Sequence, residues 1–124
     1  MSAPCDKVFV YGTLRSGGSN HFRMDGAEFI SAATIRARLY RIDWYPGLVL
    51  DDAGDEVIGE IYQVSDELMK QLDAFEGPGY RRFMTQAKCD GDHRSPQTVW
   101  LWEWLGTCDE SRRILSGDWL ASAD

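Results

Sequence analysis

Glu76 stands where an acidic residue is unusual, inside the apolar stripe of a short predicted helix that runs from Ser65 to Gly77. At about 100° per residue, four apolar side chains share an arc of roughly 120°: Leu68, Met69, Leu72 and Phe75. Glu76 falls within this arc, in the last turn, where the helix macrodipole disfavours negative charge. Both features favour the protonated carboxyl and so predict a raised pKa. A carboxylate with a pKa near neutrality can serve as a general base.

The limits of this helix are marked at both ends. Ser65 fits an N-cap, Asp66 and Glu67 follow in the first turn, and Gly77-Pro78-Gly79 ends the helix. The other charged side chains of the segment point away from the apolar stripe. A surface helix that ends in a glutamate is the alternative interpretation, so catalysis at Glu76 needs support from other positions.

A glycine-rich loop follows the first predicted strand, which spans residues 7–11. From Gly12 to Ser19 the spacing is close to the G-x-x-x-x-G of a phosphate-binding P-loop, but Gly18 occupies the position of the required lysine. No strand–helix–strand pattern follows either, so a nucleotide-binding P-loop does not fit. A loop of small residues still exposes backbone N–H groups, which bind anions or polarise carbonyl groups.

Other kinds of catalytic or metal site find little support. The chain has no G-x-S-x-G motif, and Ser19 near His21 is a sequence adjacency only. The potential metal ligands lack the spacing of a metal site, so we expect no metal: Cys5, Cys89, Cys108, His21 and His93. The number and spacing of these residues do not by themselves exclude a catalytic Cys/His pair. Cys108, however, lies in an acidic, turn-like stretch, which predicts a raised thiol pKa.

The composition indicates one compact domain and a small-molecule partner. With 124 residues, 44% of them hydrophobic and 12% aromatic, the chain can bury a single core, and we expect one domain over residues 1–124. A net charge of −7 without a basic run argues against nucleic acid or an anionic membrane surface as the partner. Scattered cysteines, no hydrophobic leader and no apolar run of membrane length favour a cytoplasmic protein.

The pattern of extended segments predicts the fold class. The expected strands cover residues 7–11, 28–43, 48–50, 56–64, 80–88 and 98–104, with a turn at Tyr45-Pro46-Gly47. Strands and helices do not alternate, so a parallel doubly wound sheet does not fit. We expect an α+β fold, a small mixed β-barrel of five to six strands with a helix packed on it.

The last predicted strand carries three tryptophans on one face. Trp100, Trp102 and Trp104 alternate with Val99 and Leu101. This row fits a packed barrel wall, and rings that faced into the barrel would also line any pocket it holds. A surface for contact with another chain is the third interpretation.

The ordered motifs resemble the γ-glutamylcyclotransferase-like superfamily, in particular its γ-glutamylamine cyclotransferase and AIG2-like branch. The resemblance rests on segments that span residues 8–119: Val8 to Arg15, Asn20-His21, Tyr45 to Leu48, Gly59 to Val64, Leu72 to Gly77, Tyr80 to Arg82 and Ser116 to Trp119. Tyr-Gly-Thr-Leu together with the downstream Leu-Asp-x-x-Glu-Gly is the most specific combination.

The resemblance implies a β-barrel with flanking helices and a central cavity. It also implies an enzyme that forms 5-oxoproline from a small γ-glutamyl substrate and releases an amine or amino acid, without metal or cofactor. Glu76 falls on the family's catalytic acid/base, and the substrate-holding loop falls on Tyr11, Gly12, Thr13 and Leu14. We expect a monomer or weak homodimer. Family members often carry a tyrosine in the late strand where this chain has tryptophans, and an indole offers only an N–H donor.

Two further residues are candidates beside that loop. Arg15 could support the loop or pair with a carboxylate, although a solvated surface arginine fits equally well. Tyr80 is expected to border the pocket, whereas Arg81 and Arg82 fit strand-face or salt-bridge positions, and His21 either touches the substrate or ties down the loop. The alternative function on the same fold is a non-catalytic module that binds a small carboxylate-bearing metabolite.

Overall fold

The structure, a computed structural model, describes residues 6–89 and 96–122. Its strands are β1 (Lys7–Val10), β2 (Glu28–Arg41), β3 (Pro46–Leu50), β4 (Asp55–Gln63), β5 (Tyr80–Cys89) and β6 (Gln97–Trp104), and its helix α1 (Asp66–Glu76) joins β4 to β5. Three short 3-10 turns complete these described segments: His21–Met24, Glu110–Arg112 and Leu120–Ser122. Cys5 and His93 lie outside the described residues.

Five strands close into a barrel in the order β2-β4-β1-β6-β5, and β5 pairs back onto β2. The β1–β6 pairing is parallel and the other pairings are antiparallel, so the barrel is mixed. The sixth strand, β3, pairs with residues 37–41 of β2, beyond the two residues of β2 that pair with β5. The predicted small mixed β-barrel with a packed helix is confirmed.

Alternate residues of the strands fill the barrel interior, as the two-residue period of a strand requires. The buried interior cluster includes Phe9, Ile35, Val57, Ile61 and Leu101. The opposite faces of β1, β4 and β6 form a second cluster with the apolar side of α1. Its members include Val8, Val10, Leu68, Leu72 and Trp102. The helix therefore packs on the outside of the barrel, over β1.

The tryptophan row lies on the outer face of β6, while Val99 and Leu101 point into the interior cluster. The predicted alternation is confirmed, and the side of the row is now fixed. Trp102 is buried under α1 and so offers no surface to another chain. No described helix is long and apolar enough to cross a membrane.

The start of β3 differs from the sequence prediction. The predicted turn at Tyr45-Pro46-Gly47 is wrong for its last two residues, because Pro46 and Gly47 already pair with Arg41 and Tyr40 of β2. Pro46 is the first residue of the strand, a position at which proline is tolerated. The reversal of the chain therefore falls earlier, where Tyr45 O accepts hydrogen bonds from the N–H groups of Ile42 and Asp43.

A C-terminal strap, which we define as residues 113–119, crosses the ends of two strands. Ile114 donates its N–H to Leu39 O at 2.7 Å, and the N–H of Ile58 reaches Gly117 O at 2.8 Å. Gly117 has a φ of 70°, and a Cβ there would collide with Glu56 O. Only glycine fits this position without strain, since both the backbone conformation and the space exclude a side chain.

Candidate functional site

A pocket, hereafter the β1 pocket, opens where β1 ends and its chain passes under the last turn of α1. Ten residues line it: Phe9, Val10, Tyr11, Gly12, Thr13, Leu14, Pro46, Glu76, Tyr80 and Trp102. Its cavity volume is about 30 Å³, room for about one or two water molecules. Six of the predicted site residues are thus brought together, and Arg15 is not among them.

Glu76 is the last residue of α1 and the charged residue of the β1 pocket. Its pKa is raised from 4.5 to about 7, first by the loss of water around the carboxyl and second by the negative charge of Asp73. The raised pKa expected from the apolar stripe is confirmed. At neutral pH such a group is close to half protonated, so it can both accept and donate a proton.

The local sequence explains why the carboxyl points into the pocket. Leu68 and Leu72 are buried against the second cluster, which fixes the rotation of α1. Ser65 caps the helix through its side chain, which accepts the N–H of Leu68 at 3.1 Å. At the other end Gly77, with a φ of 75°, turns the chain into β5 and leaves Glu76 above the end of β1.

Two tyrosine hydroxyls face Glu76 across the pocket. Tyr11 donates its hydroxyl to Trp102 O, and Tyr80 donates to Pro46 O, each at 2.6 Å. Burial is the main cause that raises the pKa of both phenols, and Glu76 raises each further. Both side chains therefore stay neutral at working pH. Each phenolic hydroxyl donates its proton to a backbone carbonyl group, and each phenolic oxygen keeps a lone pair that can accept a hydrogen bond.

The loop after β1 presents backbone donors to the same pocket. In the described part of the chain, the N–H groups of Gly12, Thr13 and Leu14 have no protein acceptor. A Cβ at Gly12 would lie 2.5 Å from Pro46 Cγ, so only glycine permits the close approach of this loop to β3. Unpaired N–H groups that converge on a pocket are suited to an anion or a polarised carbonyl oxygen.

Polar contacts behind the loop hold this shape. Asn20 donates its backbone N–H to Thr13 O at 2.8 Å and its side-chain N–H to Thr13 Oγ1 at 3.2 Å. His21 Nδ1 lies 2.9 Å from Leu14 O. His21 does not line the β1 pocket, so in this structure it ties down the loop.

Arg15 is buried behind the loop between two carboxylates. Its side chain bonds Glu60 Oε2 at 3.1 Å through Nε and Asp118 Oδ1 at 2.8 Å through Nη1. Glu60 also accepts the N–H of Ser16 at 2.8 Å and the hydroxyl of Tyr62 at 3.0 Å. Of the uses open to Arg15, the structure shows loop support through carboxylate pairing inside the protein.

Two acidic residues beside the site were missed in the sequence. Glu60 could have been found as the acid between Gly59 and Ile61, in the part of its strand that is otherwise without charge. Asp73 was placed outside the apolar stripe, yet its Oδ1 accepts the indole N–H of Trp102 at 2.9 Å and pairs with Arg82 Nε at 3.0 Å. Its spacing of three residues from Glu76 was the available signal, because residues i and i+3 are neighbours on a helix. The salt-bridge position expected for Arg82 is confirmed.

A second, larger space, hereafter the aromatic pocket, shares Glu76 with the β1 pocket. Its volume is about 340 Å³. The lining consists of aromatic rings, one glycine and the shared carboxyl: Trp44, Tyr45, Phe75, Glu76, Gly79, Tyr80 and Trp104. Trp102 and Trp104 thus contribute to different pockets, whereas the ring of Trp100 lies under the guanidinium of Arg82.

The other residue types considered for catalysis lie elsewhere. Cys89 is buried in the barrel interior. The pKa of the Cys108 thiol is raised, mainly by partial burial, and this is the direction that its sequence context predicted. Among the described residues no group of three or more His, Cys, Asp or Glu side chains is arranged to hold a metal ion. The described site offers a proton-transfer group, neutral phenols and free backbone donors.

Comparison with known proteins gives consistent relatives. A family described as "Gamma-glutamyl cyclotransferase, AIG2-like" matches residues 8–121. The γ-L-glutamyl-butirosin B γ-glutamyl cyclotransferase of Niallia circulans is 36% identical over 118 residues, which cover 90% of this chain and 74% of that protein. The γ-glutamylaminecyclotransferase of Bos taurus is 36% identical over 81 residues, covering 56% of this chain and 47% of that protein.

A solved structure shares the fold as well. A Pyrococcus horikoshii protein matches with a TM-score of 0.72 and 29% identity, and the match covers 92% of this chain and 89% of that one.

Proposed function

Because the chain belongs to the γ-glutamyl cyclotransferase, AIG2-like family, we propose that it converts a γ-glutamyl amine or γ-glutamyl amino acid into 5-oxoproline and a free amine, with Glu76 as general acid and base. Membership at this level makes it an enzyme of the cyclotransferase type. The observation that carries the assignment of Glu76 is its position: a carboxyl with a pKa of about 7 lies in one pocket with three unpaired backbone N–H groups.

The reaction joins two ends of one substrate molecule. The α-amino nitrogen attacks the side-chain carbonyl carbon, a five-membered ring closes, and the bond from that carbon to the departing nitrogen breaks. The reacting atoms are already tethered, so the main contribution of the protein is to hold the folded conformer.

Proton movement is the step that needs a protein group. The α-nitrogen begins as an ammonium and ends as the lactam N–H, so it loses two protons, and the departing nitrogen gains two when it leaves as an ammonium. Glu76 would carry these protons one at a time, returning to the carboxylate after each transfer. A pKa of about 7 matches this shuttle, because neither transfer is then strongly uphill.

Charge that develops on the attacked carbonyl oxygen needs donors. The N–H groups of Gly12, Thr13 and Leu14 are the candidates, and they would hold either this oxygen or the α-carboxylate of the substrate. The phenolic oxygens of Tyr11 and Tyr80 are candidates to accept hydrogen bonds from the α-ammonium, since their own protons are bound to carbonyl groups. Arg15 acts indirectly, because its ion pairs hold the loop in place.

The direct test is release of 5-oxoproline from ε-(γ-glutamyl)-lysine, γ-glutamyl-alanine and glutathione. Glu76→Gln keeps the size of the side chain and removes the base, so we expect turnover to fall by about 10²–10⁴ with the fold intact by circular dichroism. Glu67→Gln, on the exposed first turn of the same helix, is the matched control and should retain full turnover.

Two results would decide against parts of this proposal. Unchanged turnover in Glu76→Gln would end the acid/base assignment. No product from any substrate with folded wild-type protein would leave a binding module for a small carboxylate-bearing metabolite as the function of the pocket.

A further inference from the structure

The aromatic pocket is a distinct space that the ring-closing chemistry does not use. Its rings form a continuous wall: Tyr45 lies 5.1 Å from Trp44 and 6.2 Å from Trp104, and Tyr80 lies 5.2 Å from Trp104, centroid to centroid. All three contacts are tilted or edge-on. Trp44 is 60% exposed, so this wall is not the interior of a core.

Trp104 is fixed in the wall by residues without side chains. A Cβ at Gly47 or Gly106 would come within 2.8 Å of this indole, and one at Gly79 would lie 3.0 Å from it. The indole N–H donates to Thr107 O at 3.0 Å, so it is already satisfied. The ring therefore presents apolar surface toward Gly79, one of the residues that line the pocket.

The electrostatic character of the aromatic pocket is one-sided. No lysine, arginine or histidine is among its described lining residues, and Glu76 is its one carboxylate. A ligand carboxylate placed beside Glu76 finds no cation among these lining residues, which is unfavourable in a partly desolvated site; the guanidinium of Arg23 lies 4.2 Å from the ring centroid of Phe75. An apolar or cationic group meets no such penalty.

The two pockets meet at the group assigned to proton transfer. Glu76 and Tyr80 line both spaces. If the γ-glutamyl group occupies the β1 pocket, the bond that breaks lies at this boundary, and the departing nitrogen directs its substituent toward Trp44, Tyr45 and Trp104.

We propose that the aromatic pocket is the leaving-group site, and that it selects amines with a flat apolar body and no carboxylate on the carbon that bears the departing nitrogen. This inference rests on the proposed function and refines its substrate class. Of the amines and amino acids considered above, it assigns the amines, and among them those large enough to contact the wall formed by Trp44, Tyr45 and Trp104.

Three substrates that share the γ-glutamyl group test the proposal: γ-glutamyl-phenethylamide, γ-glutamyl-ethylamide and γ-glutamyl-phenylalanine. The first adds a ring to the second, and the third adds a carboxylate to the first. Contact with several rings predicts kcat/KM for the phenethylamide about 10-fold or more above that for each of the others. Equal values for the phenethylamide and the ethylamide, or a preference for the phenylalanine compound, would overturn the proposal.

Variants of exposed aromatic residues locate the effect. Trp44→Ala should lower kcat/KM for the phenethylamide several-fold and leave the ethylamide unchanged, because the smaller substrate does not reach this ring. Phe22→Ala is the matched control, since Phe22 is 67% exposed and lines neither pocket. An equal loss on both substrates in Trp44→Ala would show a general structural effect and contradict the assignment.

A binding measurement separates this inference from the proposed function. If no substrate yields 5-oxoproline, the proposed function fails, but the aromatic pocket can still be tested with the free amines. Titration of phenethylamine and phenylalanine, followed through the indole N–H signals in NMR spectra, should give tighter binding of phenethylamine and weaker binding of it to Trp44→Ala. The same affinity for both compounds, or for both proteins, would reject the site.

Discussion

Glu76 shows how one residue acquires a neutral pKa without a specialised partner. Loss of water around the carboxyl is the larger cause, and the charge of Asp73 adds to it. Asp73 itself accepts the indole N–H of Trp102 and pairs with Arg82. The proposed acid/base group and the residue that raises its pKa thus lie about one helical turn apart.

The role of Asp73 leads to a pH-dependent prediction. Asp73→Asn removes a like charge and leaves Arg82 without its partner, and both changes favour the ionised form of Glu76. The pKa of about 7 for Glu76 in the ligand-free protein predicts an acidic limb of the kcat/KM profile near pH 7 in the wild type, and this limb should move to lower pH in Asp73→Asn. Measurement of kcat/KM from pH 5 to 9 checks this, with Glu67→Gln as a control that should keep the wild-type limb. A profile unchanged by Asp73→Asn would remove Asp73 from this role.

Glu76 should also make the fold less stable at high pH. Its folded pKa of about 7 lies above its ordinary value of 4.5, so the folded state binds more protons between these values and the free energy of unfolding falls as pH rises through them. The loss amounts to about 3 kcal/mol by pH 8. Glu76→Gln lacks this titration, so its stability relative to wild type should increase by that amount from pH 4 to pH 8 in urea unfolding. A constant difference between the two proteins would contradict the raised pKa.

Single residues were predictable from the sequence where periodicity alone placed them. The helical angle of Glu76 relative to Leu68 and Leu72 is fixed by local geometry, so its burial and pKa followed. Glu60 and Asp73 were missed because their partners lie far along the chain: Arg15 is 45 residues from Glu60, and Trp102 is 29 residues from Asp73. Such pairs exist only after the strands have aligned.

At the scale of elements, the loop after β1 is held by a buried ion network. Arg15 is 8% exposed, and Glu60, one of its two carboxylate partners, belongs to the adjacent strand β4. Ser16 and Tyr62 supply further hydrogen bonds to Glu60. The backbone N–H groups of the β1 pocket are thus held in place by residues that do not line the pocket.

Removal of one partner from this network should be costly. Arg15→Met leaves the buried carboxylate of Glu60 unpaired, which predicts a loss of about 3–5 kcal/mol in the free energy of unfolding. The double variant Arg15→Met/Glu60→Gln no longer buries that unpaired charge and should recover part of the loss. Urea unfolding of both variants measures the difference. A single variant as stable as wild type would show that the network contributes little.

The type of each element with a clear sequence pattern was predicted, whereas the residues at which the elements begin and end were predicted less accurately. The sequence of β1 is a short apolar run ended by Gly12, and those of β6 and α1 have periods of two and 3.6, so the type of each element followed from its sequence. The start of β3 was missed because Tyr45-Pro46-Gly47 has the composition of a turn. Pairing of Pro46 with Arg41 overrides that local preference.

At the scale of the whole molecule, the C-terminal strap links the barrel strands β2 and β4 to the loop after β1. It bonds β2 and β4 through Ile114 and Gly117, and Asp118 extends from it to Arg15 behind the loop. The barrel, the loop and the end of the described chain therefore form one connected unit. The family resemblance predicted the barrel, but the residue pattern alone did not indicate this connection.

Gly117 gives a test of the strap. Gly117→Ala combines a positive φ with a collision at Glu56 O, so we expect a loss in stability well above about 1 kcal/mol and faster hydrogen exchange at Ile58 N–H. Gly26→Ala is the matched control, because Gly26 has a φ of 90° but no neighbouring atom within 4 Å of the point where a Cβ would stand. Equal losses in the two variants would mean that backbone conformation alone matters and that the strap tolerates the added side chain.

The division into two pockets with one shared wall has a consequence for how such proteins diversify. In the proposed reaction, ring closure uses β1, its loop and the end of α1, whereas the proposed leaving-group wall consists of Trp44, Tyr45 and Trp104. Substitutions in the exposed turn that carries Trp44 can alter which amine is accepted and leave the proton-transfer group in place. New substrate ranges are then reachable by single substitutions in one short surface segment, and the enzyme stays active after each substitution.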